Sequence, residues 1–276
     1  MRRKIIFLDI DGTLTEPGAN LPPESAVKAV GAAREKGHYV LLCTGRNYDM
    51  LSPLLPLGFD GMVASCGGYV RFQDHVIYDC PMTGEQKERA MSVLKDNGIF
   101  RTIECMDGSY TDGGLKEFLA ARGEEGTNSE LLRWRRQLEE SLHIRPMAEY
   151  RGQPVYKIVV MADSRERFEE PVRVLGREFE VCLQEPDRYG YINGELVNRK
   201  FDKGRGVRRV CEYLGIPLED TVGFGDSMND EAMLRTVALS ICMEDGSEKM
   251  KEIADDVCPC VREDGLYRGF LKYGLC

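Results

Sequence analysis

The sequence predicts an α/β fold: a parallel-sheet core interrupted by a separate α+β segment. Three observations carry this. Short, continuous apolar runs alternate with amphipathic stretches over residues 5–83, the pattern of strands buried on both faces. The same alternation returns over residues 196–276, and the stretch between mixes strand and helix signals without the acid-bearing turns of its flanks. The expected organisation is therefore a core of residues 1–83 and 196–276 with residues 84–195 inserted as a second domain.

Ile5–Leu8 is the first expected strand. It runs into Asp9 and Asp11, two residues apart, and Gly12 lets the chain turn at once. Side chains at i and i+2 of a strand point the same way, so both acids are expected on one side. Such a pair repels itself and loses hydration unless a cation or a proton occupies the site. It suits a hard metal ion and a carboxylate that attacks or transfers protons. Pro22–Lys36 reads as a helix, with Ala26, Val27, Ala29, Val30 and Ala33 near a 3.6 period and Gly37 as its stop. Tyr39–Cys43 is the second strand and ends at Thr44-Gly45-Arg46, after which a helix is expected. Gly61–Ser65 is the third, and Tyr69–Tyr78, split at Gln73-Asp74, a hairpin.

The inserted segment carries helix patterns at Glu85–Lys95, Asn128–Leu142 and Arg165–Arg177, and strand patterns at Ile99–Cys105, Val155–Met161, Glu180–Gln184 and Tyr189–Ile192. Lys203–Leu214 follows as a helix stopped by Gly215 and Pro217. Thr221–Phe224 is a strand ending at Gly225-Asp226; Met228–Leu234 a helix, Ala238–Cys242 a strand and Ser247–Ile253 a helix. In open α/β sheets ligands bind beyond the carboxyl ends of the strands. Asp9, Asp11, Thr44 and Asp226 all fall at such ends, and Lys203 opens a helix just after the insertion.

Composition narrows the function classes. A formal net charge of -9 makes nucleic acid and anionic membrane poor partners, so an anionic ligand has to be met by local positive charge. The ten cysteines form no CxxC pair; Cys258-Pro259-Cys260 is the closest spacing, with no histidine nearby to complete a zinc set. They read as reduced structural thiols, several of them inside apolar runs. His38, His75 and His143 suit no metal spacing. The apolar stretch after Met1-Arg2-Arg3-Lys4 breaks at Asp9, too early for a secretion signal, and no run approaches a membrane span. A cytoplasmic protein is expected.

Asp9-Ile10-Asp11-Gly12-Thr13-Leu14-Thr15 resembles the first motif of the haloacid dehalogenase superfamily. Thr44-Gly45-Arg46 resembles the second, Lys203-Gly204 the third, and Gly225-Asp226-Ser227-Met228-Asn229-Asp230 the fourth. Order and spacing are similar to the Cof-type branch, subclass IIB, whose large α+β cap of the C2 type lies between the second and third motifs. The resemblance implies a Rossmann-like core with such a cap and a Mg²⁺-dependent phosphatase of small phosphorylated metabolites, a sugar phosphate first. It assigns Asp9 as the nucleophile that forms an aspartyl-phosphate. Asp11 becomes the acid–base group, its retained proton also easing repulsion with Asp9. The metal ligands would be the Asp9 and Asp226 carboxylates and the Asp11 backbone carbonyl. Thr44, Lys203, Asn229 and the backbone N–H groups around Asp11, Gly12 and Gly45 would hold phosphate, and Asp230 would support the metal's waters or Lys203 from behind.

Other readings stand beside this one. Asp11-Gly12 also suits a plain turn and Asp226 a helix cap. Arg46 either touches phosphate or opens a helix as a surface charge. Glu263-Asp264-Gly265 resembles a loop that closes the family's core. Cys66 stands where many relatives carry an asparagine, which removes one amide on the substrate side. Trp134, among Arg133, Arg135 and Arg136, reads as an anchor of the inserted domain, or else marks where an anionic substrate lies against those arginines. The same aspartyl-phosphate chemistry would serve a phosphomutase or phosphotransferase, and an Asp cluster with Lys and Thr also suits a phospho-accepting regulatory module.

Overall fold

The computed structural model describes residues 2–115, 144–186 and 191–276. The chain divides into two compact units, one of Met1–Arg46, Leu51–Asp79 and Phe201–Cys276, the other of Asn47–Met50 and Cys80–Lys200.

The first unit holds an eight-stranded sheet. Its strands are β1 (Ile5–Leu8), β2 (Tyr39–Cys43), β3 (Gly61–Ala64), β4 (Tyr69–Phe72), β5 (His75–Asp79), β12 (Thr221–Gly225), β13 (Leu239–Met243) and β14 (Asp256–Cys258). They lie in the order β14-β13-β12-β1-β2-β3-β4-β5. All neighbours from β14 to β3 are parallel, and the β3–β4–β5 end is antiparallel. Parallel strands need helical crossovers, which cover both faces; that is why Ile5, Ile6, Phe7 and Leu8 can all be apolar and all buried. Phe7, Leu41 and Val63 pack with Val207 and Val210 of helix α4 (Lys203–Leu214), Met233 of α5 (Glu231–Leu234) and Met250 of α6 (Glu248–Ile253). On the opposite face Phe224 meets Phe270 of α7 (Gly265–Lys272) with ring centroids 5.3 Å apart, and α7 lies against α1 (Glu24–Glu35). Each such side chain removed from water stabilises the fold by about 1.5–3 kcal/mol.

The chain leaves β1 toward β2 and β3 on one side, and β12 and β13 build out on the other. β1 is thus the switch point, where crossovers diverge and leave a crevice beyond the carboxyl ends.

The second unit holds a six-stranded sheet: β6 (Phe100–Cys105), β7 (Gly108–Thr111), β8 (Ile144–Pro146), β9 (Val155–Ala162), β10 (Phe179–Leu183) and β11 (Ile192–Asn198), in the order β10-β11-β9-β6-β7-β8. Helices α2 (Gly84–Asp96) and α3 (Glu169–Leu175) cover one face, where Ala90, Leu94 and Leu175 pack with Ile103, Ile158, Val160 and Leu196. Thr83 starts α2 with a reciprocal cap: its hydroxyl accepts from the Gln86 N–H, and the Gln86 side chain accepts from the Thr83 N–H. The alternate positions of β6, β9 and β11 carry Glu104, Lys157 and Glu195, all buried, with Lys157 3.4 Å from Glu104 and bonded to Glu195.

Several expectations change. No α-helix lies between Arg46 and β3; the chain makes 3₁₀ turns at Asp49–Leu51 and Leu55–Leu57 instead. Pro53 and Pro56 lack the N–H groups a longer helix would use. Met228–Leu234 is a 3₁₀ turn, Met228–Asp230, before the short α5. The helix expected at Arg165–Arg177 is a 3₁₀ turn, Glu166–Phe168, and then α3 alone. The strand expected to end at Ile192 begins there. β7, β8, β14 and α7 were not anticipated, the three strands having only three or four residues each. The helix pattern at Asn128–Leu142, Trp134 and His143 lie outside the described residues. All ten cysteines are free thiols, and no helix among the described residues is long and apolar enough to cross a membrane.

Candidate active site

Asp9 follows β1 directly, and its N–H donates to the Phe224 carbonyl of β12 (3.0 Å), so the ladder extends one residue past the strand. The side chain is buried and accepts at Oδ1 from Lys203 Nζ (2.6 Å). Lys203 is the first residue of α4. Asp202 caps that helix by accepting the Arg205 N–H at 2.7 Å, worth ~1 kcal/mol. Gly204 lets the helix start back onto α5: a Cβ there would lie 2.3 Å from the Ala232 carbonyl oxygen. Lys203 Nζ also donates to Asn229 Oδ1 (3.0 Å) and to Asp230 Oδ1.

Asp226 and Asp230 come from the turn after β12. Asp230 Oδ2 accepts the N–H groups of Asp226 (3.1 Å) and Ser227 (3.2 Å), which fixes the turn and the carboxylate together. Carboxylate oxygens of Asp9, Asp226 and Asp230 lie within 4.8 Å of one another. Burial, then the charge of Asp230, pushes the Asp9 carboxyl up to about 7 against the pull of Lys203. Burial, with Asp230 and Asp9 adding to it, holds Asp226 well above the usual carboxylate range. Burial alone would lower the Lys203 ammonium; Asp230 and Asp9 outweigh it and hold that group well above its ordinary value. Two buried carboxylates and the half-buried Asp226 against one lysine leave uncompensated negative charge, and the donor set is all oxygen. That fits a hard divalent cation.

Asp11 departs from the geometry expected of it. β1 ends at Leu8, and the chain turns at Ile10, whose carbonyl accepts from Thr13, Leu14 and Thr15. The period-2 rule stops with the strand. Asp9 therefore reaches Lys203, while Asp11 pairs with Arg46, whose Nε and Nη2 donate to it at 2.9 and 2.7 Å. A guanidinium therefore lies beside the Asp11 carboxyl, and the Lys203 ammonium beside that of Asp9. Arg46 itself is 1% exposed, so it is not a surface charge.

Thr44 is buried, and its Oγ1 accepts the Arg46 N–H (3.1 Å), leaving the hydroxyl hydrogen to be donated elsewhere. Gly45 lies in the buried bend beside it. The Gly12 N–H, expected to meet an anion, donates instead to the Thr15 carbonyl (2.9 Å). What Gly12 supplies is room. Its φ is +90°, and a Cβ would sit 2.5 Å from Asp226 Oδ2. Gly12→Ala should therefore weaken divalent-cation binding at least about tenfold while costing roughly 1–3 kcal/mol of stability; unchanged cation affinity in a titration would refute the packing argument. Asn229 is exposed and its Oδ1 accepts from both Lys203 and Ser227 Oγ, so its NH₂ is the donor side.

One feature escaped the sequence reading, the bidentate Arg46–Asp11 pair. Asp230, expected behind the metal's waters or Lys203, bonds Lys203 and also stands among the converging carboxylates. Cys66 lies in a left-handed conformation (φ 57°), with its N–H on the Thr44 carbonyl at 3.0 Å. Asparagine tolerates that conformation better than most residues, so the backbone here would accept the amide that many relatives carry. Burial pushes the neighbouring Cys43 thiol well above its usual range, which makes it a poor nucleophile.

Known proteins are similar to this one in sequence and fold. The chain matches the family described as haloacid dehalogenase-like hydrolase over residues 6–270. Phosphatase YwpJ of Bacillus subtilis (strain 168) is 27% identical over 289 residues, covering 95% of this chain and 97% of that one. A phosphoglycolate phosphatase of Methanopyrus kandleri is 26% identical over 265 residues, with 95% and 93% covered. The solved structure of the subclass IIB sugar phosphatase BT4131 superposes with a TM-score of 0.77 at 23% identity, covering 99% of this chain and 100% of that one. A family match across nearly the whole length, on the fold and motifs described above, places the protein: it is an enzyme of the haloacid dehalogenase-like hydrolase family.

Proposed function

We propose that the enzyme is a Mg²⁺-dependent phosphatase that hydrolyses a small phosphorylated metabolite, a sugar phosphate first, through an aspartyl-phosphate on Asp9. The observation that carries this reading is Lys203 Nζ bonded to both Asp9 and Asp230, beside the Asp226 carboxylate. With Oδ1 held by Lys203, Oδ2 of Asp9 is the atom that attacks phosphorus. Lys203 offsets charge on the incoming phosphate, as a compact ammonium does well. The Thr44 hydroxyl and the Asn229 NH₂ donate to phosphate oxygens. Asp11 gives a proton to the departing alkoxide and later takes one from the attacking water. Mg²⁺, held by Asp9, Asp226 and the Asp11 carbonyl with Asp230 behind them, would neutralise charge so that an anionic ester can approach an anionic nucleophile.

Residues 1–83 and 196–276 are assigned this chemistry and residues 84–195 the choice of leaving group. Phosphomonoesters present one and the same dianion to the first set. The acidic composition is in keeping with a small-molecule substrate rather than nucleic acid or membrane, and the ten free thiols with a cytoplasmic enzyme.

The test is phosphate release from a panel of phosphomonoesters, with chelator and with Mg²⁺ restored. Release without any acceptor alcohol, abolished by EDTA and recovered with Mg²⁺, is the expected result. Full activity in chelator would refute the metal assignment, and turnover only with an acceptor would make the enzyme a phosphotransferase.

A pH effect follows from Asp9. Its folded-state value, about 7, lies above the ordinary 3.8. The folded state therefore holds that proton more tightly, and the cation-free protein should lose stability as pH rises from about 4 to 7. Mg²⁺ competes with the proton, so the rise in Tm on adding it should be larger at about pH 8 than at about pH 5. An equal rise at both would refute the linkage.

A further inference from the structure

Arg46 ends the turn after β2 and is nearly inaccessible, at 1% exposure. Its Nε donates to Asp11 Oδ2 at 2.9 Å and its Nη2 to Asp11 Oδ1 at 2.7 Å. Nη2 also donates to the Ala19 carbonyl (3.1 Å), and the Gly18 N–H donates to Asp11 Oδ1 (3.3 Å). A planar fork meeting a carboxylate through two parallel bonds sets the plane and the direction of that carboxylate, which an ammonium cannot do. The backbone of residues 18 and 19 braces the fork and the acid from one side. The converging group of Asp9, Asp226 and Asp230 does not include Asp11. The buried guanidinium therefore sorts the two acids of the first motif, one toward Lys203 and one toward itself.

We propose that Arg46 is a positioning residue for proton transfer: it holds the Asp11 carboxyl in place to serve the leaving oxygen and keeps it out of the Asp9–Asp226–Asp230 group. This rests on the phosphatase reading above. In the first step the bond from Asp9 Oδ2 to phosphorus forms as the bond from phosphorus to the alkoxide breaks. The electron pair goes to that oxygen, which takes the proton of Asp11. In the second step water attacks phosphorus, its proton returns to Asp11, and the Asp9–phosphorus bond breaks. Arg46 exchanges nothing in either step. Its effect is on where Asp11 stands.

Such a role has a signature that a purely structural one lacks. An alkyl phosphate needs its leaving oxygen protonated, whereas p-nitrophenyl phosphate releases a stable anion. Both esters share the second step, so the test reads the first one: KM and the single-turnover rate of alcohol or nitrophenol release for wild type, Arg46→Met and Arg46→Lys, on a hexose phosphate and on p-nitrophenyl phosphate at saturating Mg²⁺. Arg46→Met should slow that release about 10²-fold for the hexose phosphate and less than about threefold for p-nitrophenyl phosphate, with KM nearly unchanged on both. Arg46→Lys keeps the charge without the fork and should recover about tenfold of that loss. Equal losses on the two esters, or a change confined to KM, overturn the proposal. Should Arg46→Met fail to give a cooperative melt, Arg46→Lys decides: a larger loss on the hexose phosphate supports the role, and equal losses overturn it. A wild type that releases phosphate from neither ester overturns the phosphatase reading itself and this inference with it.

Discussion

Asp9→Asn should lower kcat by about 10⁴-fold or more, as removal of a covalent nucleophile does, while the protein folds at least as stably as wild type. The stability half follows from charge. Asp9 is buried, and Asp230 and Asp226 crowd it with like charge. An amide of the same shape removes one of those charges and still offers Lys203 an oxygen at the position of Oδ1. Without a divalent cation the Tm of Asp9→Asn should match or exceed that of wild type near pH 8, and the gain on adding Mg²⁺ should shrink. Turnover and a pair of melts, with and without cation, check both halves. Activity near wild type would remove Asp9 as the nucleophile.

Lys203→Met should damage stability and turnover together. The ammonium bonds to Asp9, Asn229 and Asp230 and is 1% exposed. Methionine fills much of the volume and leaves the carboxylates facing one another. Removing one partner of a buried ionic group typically costs about 3–5 kcal/mol. The loss should grow with pH, because Asp9 ionises near neutrality, and a divalent cation should return part of it. Urea unfolding at about pH 5 and about pH 8, with and without Mg²⁺, reads this directly. Turnover should fall by about 10³-fold or more, since the group that offsets charge on nucleophile and phosphate is gone. A variant as stable as wild type at the higher pH would mean that the acids are balanced by something other than Lys203.

The core elements were legible in the sequence because buried parallel strands announce themselves. Tyr39–Cys43 and Lys203–Leu214 fall where the apolar run and the Gly215 stop put them. The residues at the strand ends were legible for the same reason: a polar side chain directly after such a run has to face the crevice. What failed to show were features decided by one or two residues of backbone. The turn at Ile10 gives Asp11 to Arg46 while Asp9 meets Lys203, and no periodicity records where a strand stops. The Gly12 N–H goes to Thr15 because that turn closes on itself. Arg46 next to Thr44 and Gly45 gave no hint of burial, since a lone arginine after a strand is usually solvated. β7 and β8 are too short to outweigh their polar residues, and their pairing is set by neighbours in the sheet rather than by their own composition.

The central strand of the first unit has one neighbour from the first fifth of the chain and the other, β12, from its last quarter. A ribosome therefore exposes Ile5–Leu8 with one side unpaired for most of the time it takes to make the protein. An apolar edge of that kind invites pairing with other nascent chains. Fragments that stop before residue 221 should collect in inclusion bodies, and a chaperone that shields extended apolar segments should raise the yield of full-length enzyme more than it changes the finished molecule's melting point.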